Sequence, residues 1–314
     1  MDYLVAGNVM VDIVRFADGS GSDRKNMGGP SVFAYSGVKL WTDSSMLVCK
    51  VGEDFYEYFD EWLEKNNVVR EGIKVVCDYC NHSFLVYKED GTYMGDPERF
   101  TKERHRSDWI QDFGYMKTTP EDIGEFSSKY NIKGVYLAQN NDYVWWRKFS
   151  EIKKRDGFKF MWEIEAPCCE PNQMEANLNA LKSTDIFSIN VQEACSLFEV
   201  DTEEECIEKL KQLPVDVTIF RVGKKGLYSI AGNEVFFLPS APADRVVDPT
   251  GCGNTSTGSA MYAYSEGHDP LMIGIMANVA SAQNIRQFGV IPDFDAVREF
   301  AYKQAKELYD NYKK

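Results

Sequence analysis

Strand-length apolar runs alternate with amphipathic segments along most of this chain, and no other feature restricts its fold as strongly. "YLVAGNV" precedes "SVFAYSGVKLW", and "SMLVCKVG" precedes "DFYEYFDEWLEKNN". Further on, "IKGVYLA" leads to "DYVWWRKFSEIKKRD", "FKFMWEIE" to "QMEANLNALK" and "TDIFSIN" to "VQEACSLFEV". Strands alternating with helices in this order predict βαβ units, a mostly parallel sheet and helices on both of its faces. Asp54 is placed to cap the helix that it opens. No linker divides the 314 residues, so 1–314 reads as a single α/β domain with room for a sizeable core.

Two stretches break the alternation. "HSFLVYKEDGTYMGD" (82–96) carries two short strand-like runs around a hairpin signal, and "VDIVRFADGSGSD" (11–23) also reads as extended. Neither has a helix beside it, which leaves two arrangements open: a small separate sheet or flap, or an edge hairpin on the main sheet. "PERFTKERHRSDW" (97–109) is read as a charged, solvated connection, and the C-terminal "DFDAVREFAYKQAKELYDNYKK" as an amphipathic helix with Asp at its start and Lys at its end.

Charge and cysteine usage narrow the class. A net charge of −14 argues against general nucleic-acid binding, which needs a basic surface. No apolar run is long enough to span a bilayer. The opening "MDYLVAGNVMVDIV" is a strand interrupted by Gly7 and Asn8 and not the pattern of a signal peptide, so a cytoplasmic location is expected. The eight cysteines are read as reduced thiols, and Cys77-x-x-Cys80 lacks a second pair at zinc-site spacing. The three histidines, His82, His105 and His268, are too scattered to imply a dyad. The aromatic run 143–149 is read as core plus surface contact, or else as the cover of a subunit interface.

"VDPTGCGNTSTGSAMYAY" (247–264) is the segment with chemistry in it. Gly251 and Gly253 permit backbone angles that other residues resist, and a small-residue helix follows them. Such a turn presents unpaired N–H groups at a helix N-terminus, an anion site by geometry and by dipole. No G-K-[ST] follows, so it is not a Walker loop.

This segment resembles the C-terminal signature of the ribokinase or PfkB family of sugar and nucleoside kinases, D-T-x-G-A-G-D before a small-residue helix. Other segments fall in the family's order. "GNVMVD" resembles its first strand, "NMGGPSVFAYSGVKLW" its Gly-Gly element and "KVGEDFYEYF" its V-G-x-D segment. "SINVQEACSLF" matches the N-x-x-E element, "TIFRVGKKGLYSI" the nucleotide-side G-x-x-G, and "ANVASAQNIRQFGVIP" the adenine-side helix and loop. The resemblance implies a three-layer α/β/α sandwich with a small β lid formed by the two irregular stretches. It also implies a homodimer through that lid, ATP with Mg²⁺, and a small hydroxylated molecule as acceptor. Residue by residue, it implies that the amides of Gly251, Cys252, Gly253 and Asn254 form the anion hole for the transferring phosphoryl group. Asn190 and Glu193, three apart on one helix face, would order phosphates and Mg²⁺ through water. Gly223, Gly226 and Asn278 would line the ATP groove, Asp248 and Thr250 part of a monovalent-cation (K⁺) site, and Asp12, Gly28 and Gly29 would hold acceptor hydroxyls.

Three positions depart from the family pattern. Asn254 stands where the family has its general-base Asp; an amide orients a hydroxyl but does not take its proton. General-base catalysis is worth about 10²–10⁴-fold, so either slow transfer or a binding protein without efficient transfer is expected, and Asn254→Asp is expected to raise turnover. Phe33 stands where a sugar-binding Asn is usual, and reads either as a stacking surface for the substrate or as core. "MWEIEAPCCEP" replaces a D-P-N-like strand end, making Glu163 and Glu165 candidates for a substrate-facing carboxylate, with Glu165 or Asp248 as a replacement base. The combination of W-E-x-x-P with G-x-G-N resembles an atypical branch of the family.

Overall fold

The computed structural model describes residues 1–89, 93–95 and 116–314. Among these, nine strands form one sheet in the order β13-β12-β11-β10-β9-β8-β1-β4-β5. They are β1 (Tyr3–Ala6), β4 (Ser45–Gly52), β5 (Ile73–Cys77), β8 (Gly134–Gln139), β9 (Lys159–Ile164), β10 (Ile186–Asn190), β11 (Val217–Arg221), β12 (Gly226–Ala231) and β13 (Glu234–Pro239). Neighbours from β5 to β11 are parallel, and β12 and β13 close one edge as an antiparallel pair.

The helices are α1 (Pro30–Lys39), α2 (Asp54–Lys65), α3 (Pro120–Lys129), α4 (Tyr143–Asp156), α5 (Met174–Leu181), α6 (Val191–Phe198), α7 (Glu203–Leu210), α8 (Cys252–Ser265), α9 (Pro270–Asn284) and α10 (Asp295–Tyr312). Successive strand residues point to opposite faces, and the core divides accordingly. Tyr3 and Val5 pack with α1, α2, α8, α9 and α10, whereas Leu4 and Ala6 pack with α3 to α7. This is a three-layer α/β/α sandwich, as expected.

β2 (Met10–Arg15), β3 (Gly21–Gly28), β6 (Asn81–Tyr87) and β7 (Tyr93–Gly95) form a separate four-stranded sheet in the order β3-β2-β6-β7. The edge-hairpin alternative is thereby excluded. Phe16, just after β2, packs at a tilt against Tyr87 of β6 and Phe288 of the loop after α9, with centroids 5.7 and 6.0 Å apart. Positions 90–92 and 96 of the second irregular stretch, and the charged connection 97–109 with His105, lie outside the described residues.

Several local readings need adjustment. Asp54 does not cap α2: Glu53 holds the cap position without a side-chain bond. The Asp54 carboxylate accepts instead from the Cys80 amide at 2.6 Å and faces His82 Nε2 at 3.4 Å. The C-x-x-C is thus part of the packing between α2 and β6, with Cys80 Sγ accepting from the Gly52 amide. In the aromatic run, Trp146 and Phe149 are buried against Trp162 and Phe160, while Tyr143 and Val144 are exposed. Among the described residues no helix is long and apolar enough to cross a membrane.

Candidate active site

The glycine-rich turn starts α8, which packs on β8, β9 and β11 of the large sheet. Gly251 is the N-cap, with φ 75°, in the left-handed region that a side chain resists. A Cβ there would lie 2.1 Å from the Phe33 ring. Phe33 is 2% exposed and belongs to the core beneath the turn. Of its two readings, the structure displays packing: the ring supports the turn and presents no open stacking face.

Among the described residues, the amides of Gly251, Gly253 and Asn254 have no acceptor, whereas Thr255 N already bonds Gly251 O at 2.8 Å. Cys252, expected to complete the set, donates to Pro249 O at 3.2 Å. Of the four amides expected to form an anion hole, three are open and one is taken. The Cys252 thiol points away towards Ser281 O and the Asn284 amide, and burial pushes it up to about 11.

Asn190 and Glu193 meet at the first turn of α6, with Asn190 as its N-cap. They form a capping box at the start of α6, in which Asn190 Oδ1 accepts from Glu193 N at 3.0 Å and the Glu193 carboxylate accepts from Asn190 N at 2.8 Å. The N-x-x-E spacing carried that signal. Burial raises the Glu193 pKa, against the pull of Arg221.

Arg221, at the end of β11, joins this cluster and was not singled out from the sequence. Its Nη1 pairs with Glu163 at 2.9 Å and its Nη2 lies 3.6 Å from Glu193. A Cβ on Gly253 would come within 2.3 Å of Nη1, so the guanidinium lies directly against the anion turn. Glu163, at 3% exposure, also accepts from Asn254 Nδ2 at 3.0 Å, Tyr136 Oη at 2.6 Å and Thr257 Oγ1 at 2.5 Å. Strand parity could have found both. Val217 and Ile219 of β11, and Met161 of β9, line the α8 side of the sheet, and residues 221 and 163 follow the same alternation.

Glu165 lies apart from Glu163. It lines a cavity of about 170 Å³ with Asn8, Met10, Lys50, Asn81 and Lys117, between the two sheets. Burial raises its pKa and Lys117 pulls it back. Asp12, 4% exposed, is pushed up to about 7 by burial and by the Asp248 carboxylate, partly offset by the Gly29 amide. Its carboxylate lies over Gly28, where a Cβ would come 1.7 Å from Oδ2, and Gly29 has φ 91°. The Gly-Gly element is what lets Asp12 in.

Asp248 is fully buried. Its Oδ1 accepts from Thr250 N at 2.9 Å and Thr250 Oγ1 at 2.6 Å, and its Oδ2 has no partner. Burial raises its pKa. On the other flank, Gly223 (φ 61°) opens onto free space, and a Cβ on Gly226 would strike Leu238 O at 2.0 Å. The Asn278 amide donates to Leu238 O and Pro239 O at 3.2 and 2.7 Å, bracing the end of β13.

A family model described as "pfkB family carbohydrate kinase" matches residues 2–296. The chain belongs to that family. PfkB membership makes it a kinase, and the sequence resemblance is confirmed over nearly the whole chain. Among curated relatives of this PfkB chain, a cytidine kinase of Thermococcus kodakarensis is 24% identical, covering 85% of this chain and 90% of its own. An ATP-dependent 6-phosphofructokinase of Thermoanaerobacterium thermosaccharolyticum is 23% identical, covering 95% and 92%. Among solved structures, an Arabidopsis thaliana ribokinase complexed with ribose and ATP superposes with a TM-score of 0.70 at 20% identity, covering 97% and 98%. The shared fold is the content of that last likeness.

Proposed function

We propose that this chain transfers the γ-phosphoryl group of ATP, with Mg²⁺, to a hydroxyl of a sugar, nucleoside or related small molecule. The observation that carries the reading is the convergence of three unpaired amides and the Arg221 guanidinium at the start of α8. Positive charge and open N–H groups lie together at one helix start, which suits stabilisation of a migrating phosphoryl. Asp12, beside Gly28 and Gly29, would accept hydrogen bonds from acceptor hydroxyls, and Glu165 would face the acceptor from the neighbouring cavity.

The nucleotide would lie along Gly223, Gly226 and Asn278. No three His, Cys, Asp or Glu side chains cluster as a metal cage among the described residues, and Mg²⁺ usually arrives with phosphates and keeps several waters. Glu193 fits that use: one carboxylate oxygen holds the Asn190 amide, and the other is free to order a hydrated ion. The orphaned Oδ2 of Asp248 fits a monovalent cation, whose charge would support the anion turn. Asn254 would orient the acceptor hydroxyl without taking its proton, and a loose transition state needs little help from a base. Whatever part of general-base catalysis the reaction does use is lost with Asn254, so turnover is expected to be slow.

The test is ADP release by the purified chain with Mg²⁺–ATP and a panel of nucleosides, sugars and sugar phosphates. Release that depends on one acceptor supports the reading. Thermal stabilisation by Mg²⁺–ATP with no acceptor-dependent release would instead identify a binding protein.

A further inference from the structure

Both side-chain oxygens of Glu163 are taken up by donors. Arg221 Nη1 and Asn254 Nδ2 reach its Oε1, and Tyr136 Oη and Thr257 Oγ1 reach its Oε2. With both oxygens engaged and 3% exposure, it has no position left for an acceptor's proton. What it does have is control over two neighbours. Only the NH₂ end of an amide can face a carboxylate, so Glu163 turns Asn254 with its Oδ1 away from the sheet. The same carboxylate draws Arg221 across the Cα of Gly253, and no side chain other than hydrogen leaves room for that approach.

We propose that Glu163 is a positioning residue of the transfer site, and that carboxylate at 163 and amide at 254 form one unit that can be altered only as a pair. This rests on the phosphotransfer reading above. Asn254 Oδ1 receives the hydrogen bond of the acceptor hydroxyl while Arg221 meets the charge of the migrating group. The acceptor oxygen forms its bond to the γ-phosphorus as the bond from phosphorus to the β–γ bridging oxygen breaks, and that electron pair leaves with ADP. The hydroxyl proton, which the amide does not take, passes to an oxygen of the transferred phosphoryl and from there to water. The expectation that Asn254→Asp raises turnover is thereby reversed. An aspartate would set a second carboxylate about 3 Å from Glu163, where like charges oppose each other's ionisation, and would dislodge the amide that orients the acceptor.

The experiment is a cycle of Glu163→Gln, Asn254→Asp and the double variant in the full chain. It is read by kcat and acceptor KM, by Mg²⁺–ATP and Mg²⁺–ADP affinities from calorimetry, and by thermal unfolding. Glu163→Gln keeps the shape but removes the charge that draws Arg221 across Gly253, so both singles are expected to lower kcat by about 10-fold or more with acceptor KM changed less than about 3-fold. Asn254→Asp is also expected to lower the preference for ATP over ADP by about 10-fold, because the new charge faces the γ-phosphate. In the double variant the charge returns to 254 beside Arg221, and kcat is expected to exceed that of either single, a non-additivity of about 10-fold or more. A rise in kcat for Asn254→Asp with Glu163 in place, or single losses that simply multiply, overturns the proposal. Asn254→Ala covers the case in which the aspartate variant does not fold: Glu163→Gln should cost less kcat in that background than in the wild type, and an equal cost overturns the proposal. Wild-type protein that transfers to no acceptor refutes phosphotransfer itself, and the ATP-over-ADP cycle then still decides whether residues 163 and 254 act together.

Discussion

Tyr87 Oη and Thr250 Oγ1 lie 2.7 Å apart, joining the small sheet to the anion turn. The Thr250 hydroxyl proton goes to Asp248, which makes Tyr87 the donor. One hydrogen-bonded line thus runs from β6 through Thr250 to the buried carboxylate that adjoins Asp12 and the turn. On the proposed reading, a sheet tied in this way would set how the acceptor side closes on the phosphoryl side.

Tyr87→Phe should loosen that closure while leaving Thr250 on Asp248. A hydrogen bond of this kind is worth about 0.5–1.5 kcal/mol net. Acceptor KM is expected to rise about 2- to 12-fold by that measure, with kcat changed less, in steady-state assays of acceptor-dependent ADP release.

Asp12 makes stability depend on pH. Its carboxyl, ordinarily near 3.8, is raised to about 7 by burial and by Asp248. Between those values the folded chain keeps a proton that the unfolded chain has lost, so its stability is full below about pH 4 and falls as pH rises to about 7, by about 4 kcal/mol. Urea unfolding across this range should show the slope, and Asp12→Asn should remove most of it. The ionised carboxylate is the better acceptor for sugar hydroxyls, so wild-type acceptor binding should tighten over the same interval in which stability falls.

Gly253→Ala should push Arg221 off the turn. The added Cβ meets Nη1 at 2.3 Å, and the guanidinium is tethered to Glu163 at 2.9 Å, so it cannot swing away without breaking a nearly buried pair. Losing one aimed donor group typically lowers kcat about 10²–10³-fold, and a loss of that size is expected here in the ADP-release assay. Nucleotide binding by calorimetry should change far less.

Phe33→Ala tests the support of the turn. Removing a buried phenylalanine costs about 3–5 kcal/mol, and the ring removed here is the one against Gly251. The urea midpoint should drop by the corresponding amount. Phe33→Leu should retain most of the stability and most of the activity, whereas a ring used to stack on substrate would lose acceptor affinity in both variants.

Local pattern by itself determined the alternation of strands and helices, the extended character of 11–23 and 82–96, and the glycine turn before α8, because each is set by side-chain periodicity or backbone freedom within a few residues. It also held the N-x-x-E capping box, which spacing alone could have revealed. What only the tertiary structure decided is the wiring of the site. Asn254 and Glu163 are 91 residues apart in the chain, and Arg221 comes from a third segment. Their meeting depends on strand order, on which sheet face α8 covers, and on the exact depth at which Gly253 admits a guanidinium. The hydrogen-bonding needs of a buried carboxylate are met by whatever donors the fold brings within about 3 Å, and no local pattern in the chain records which donors those are.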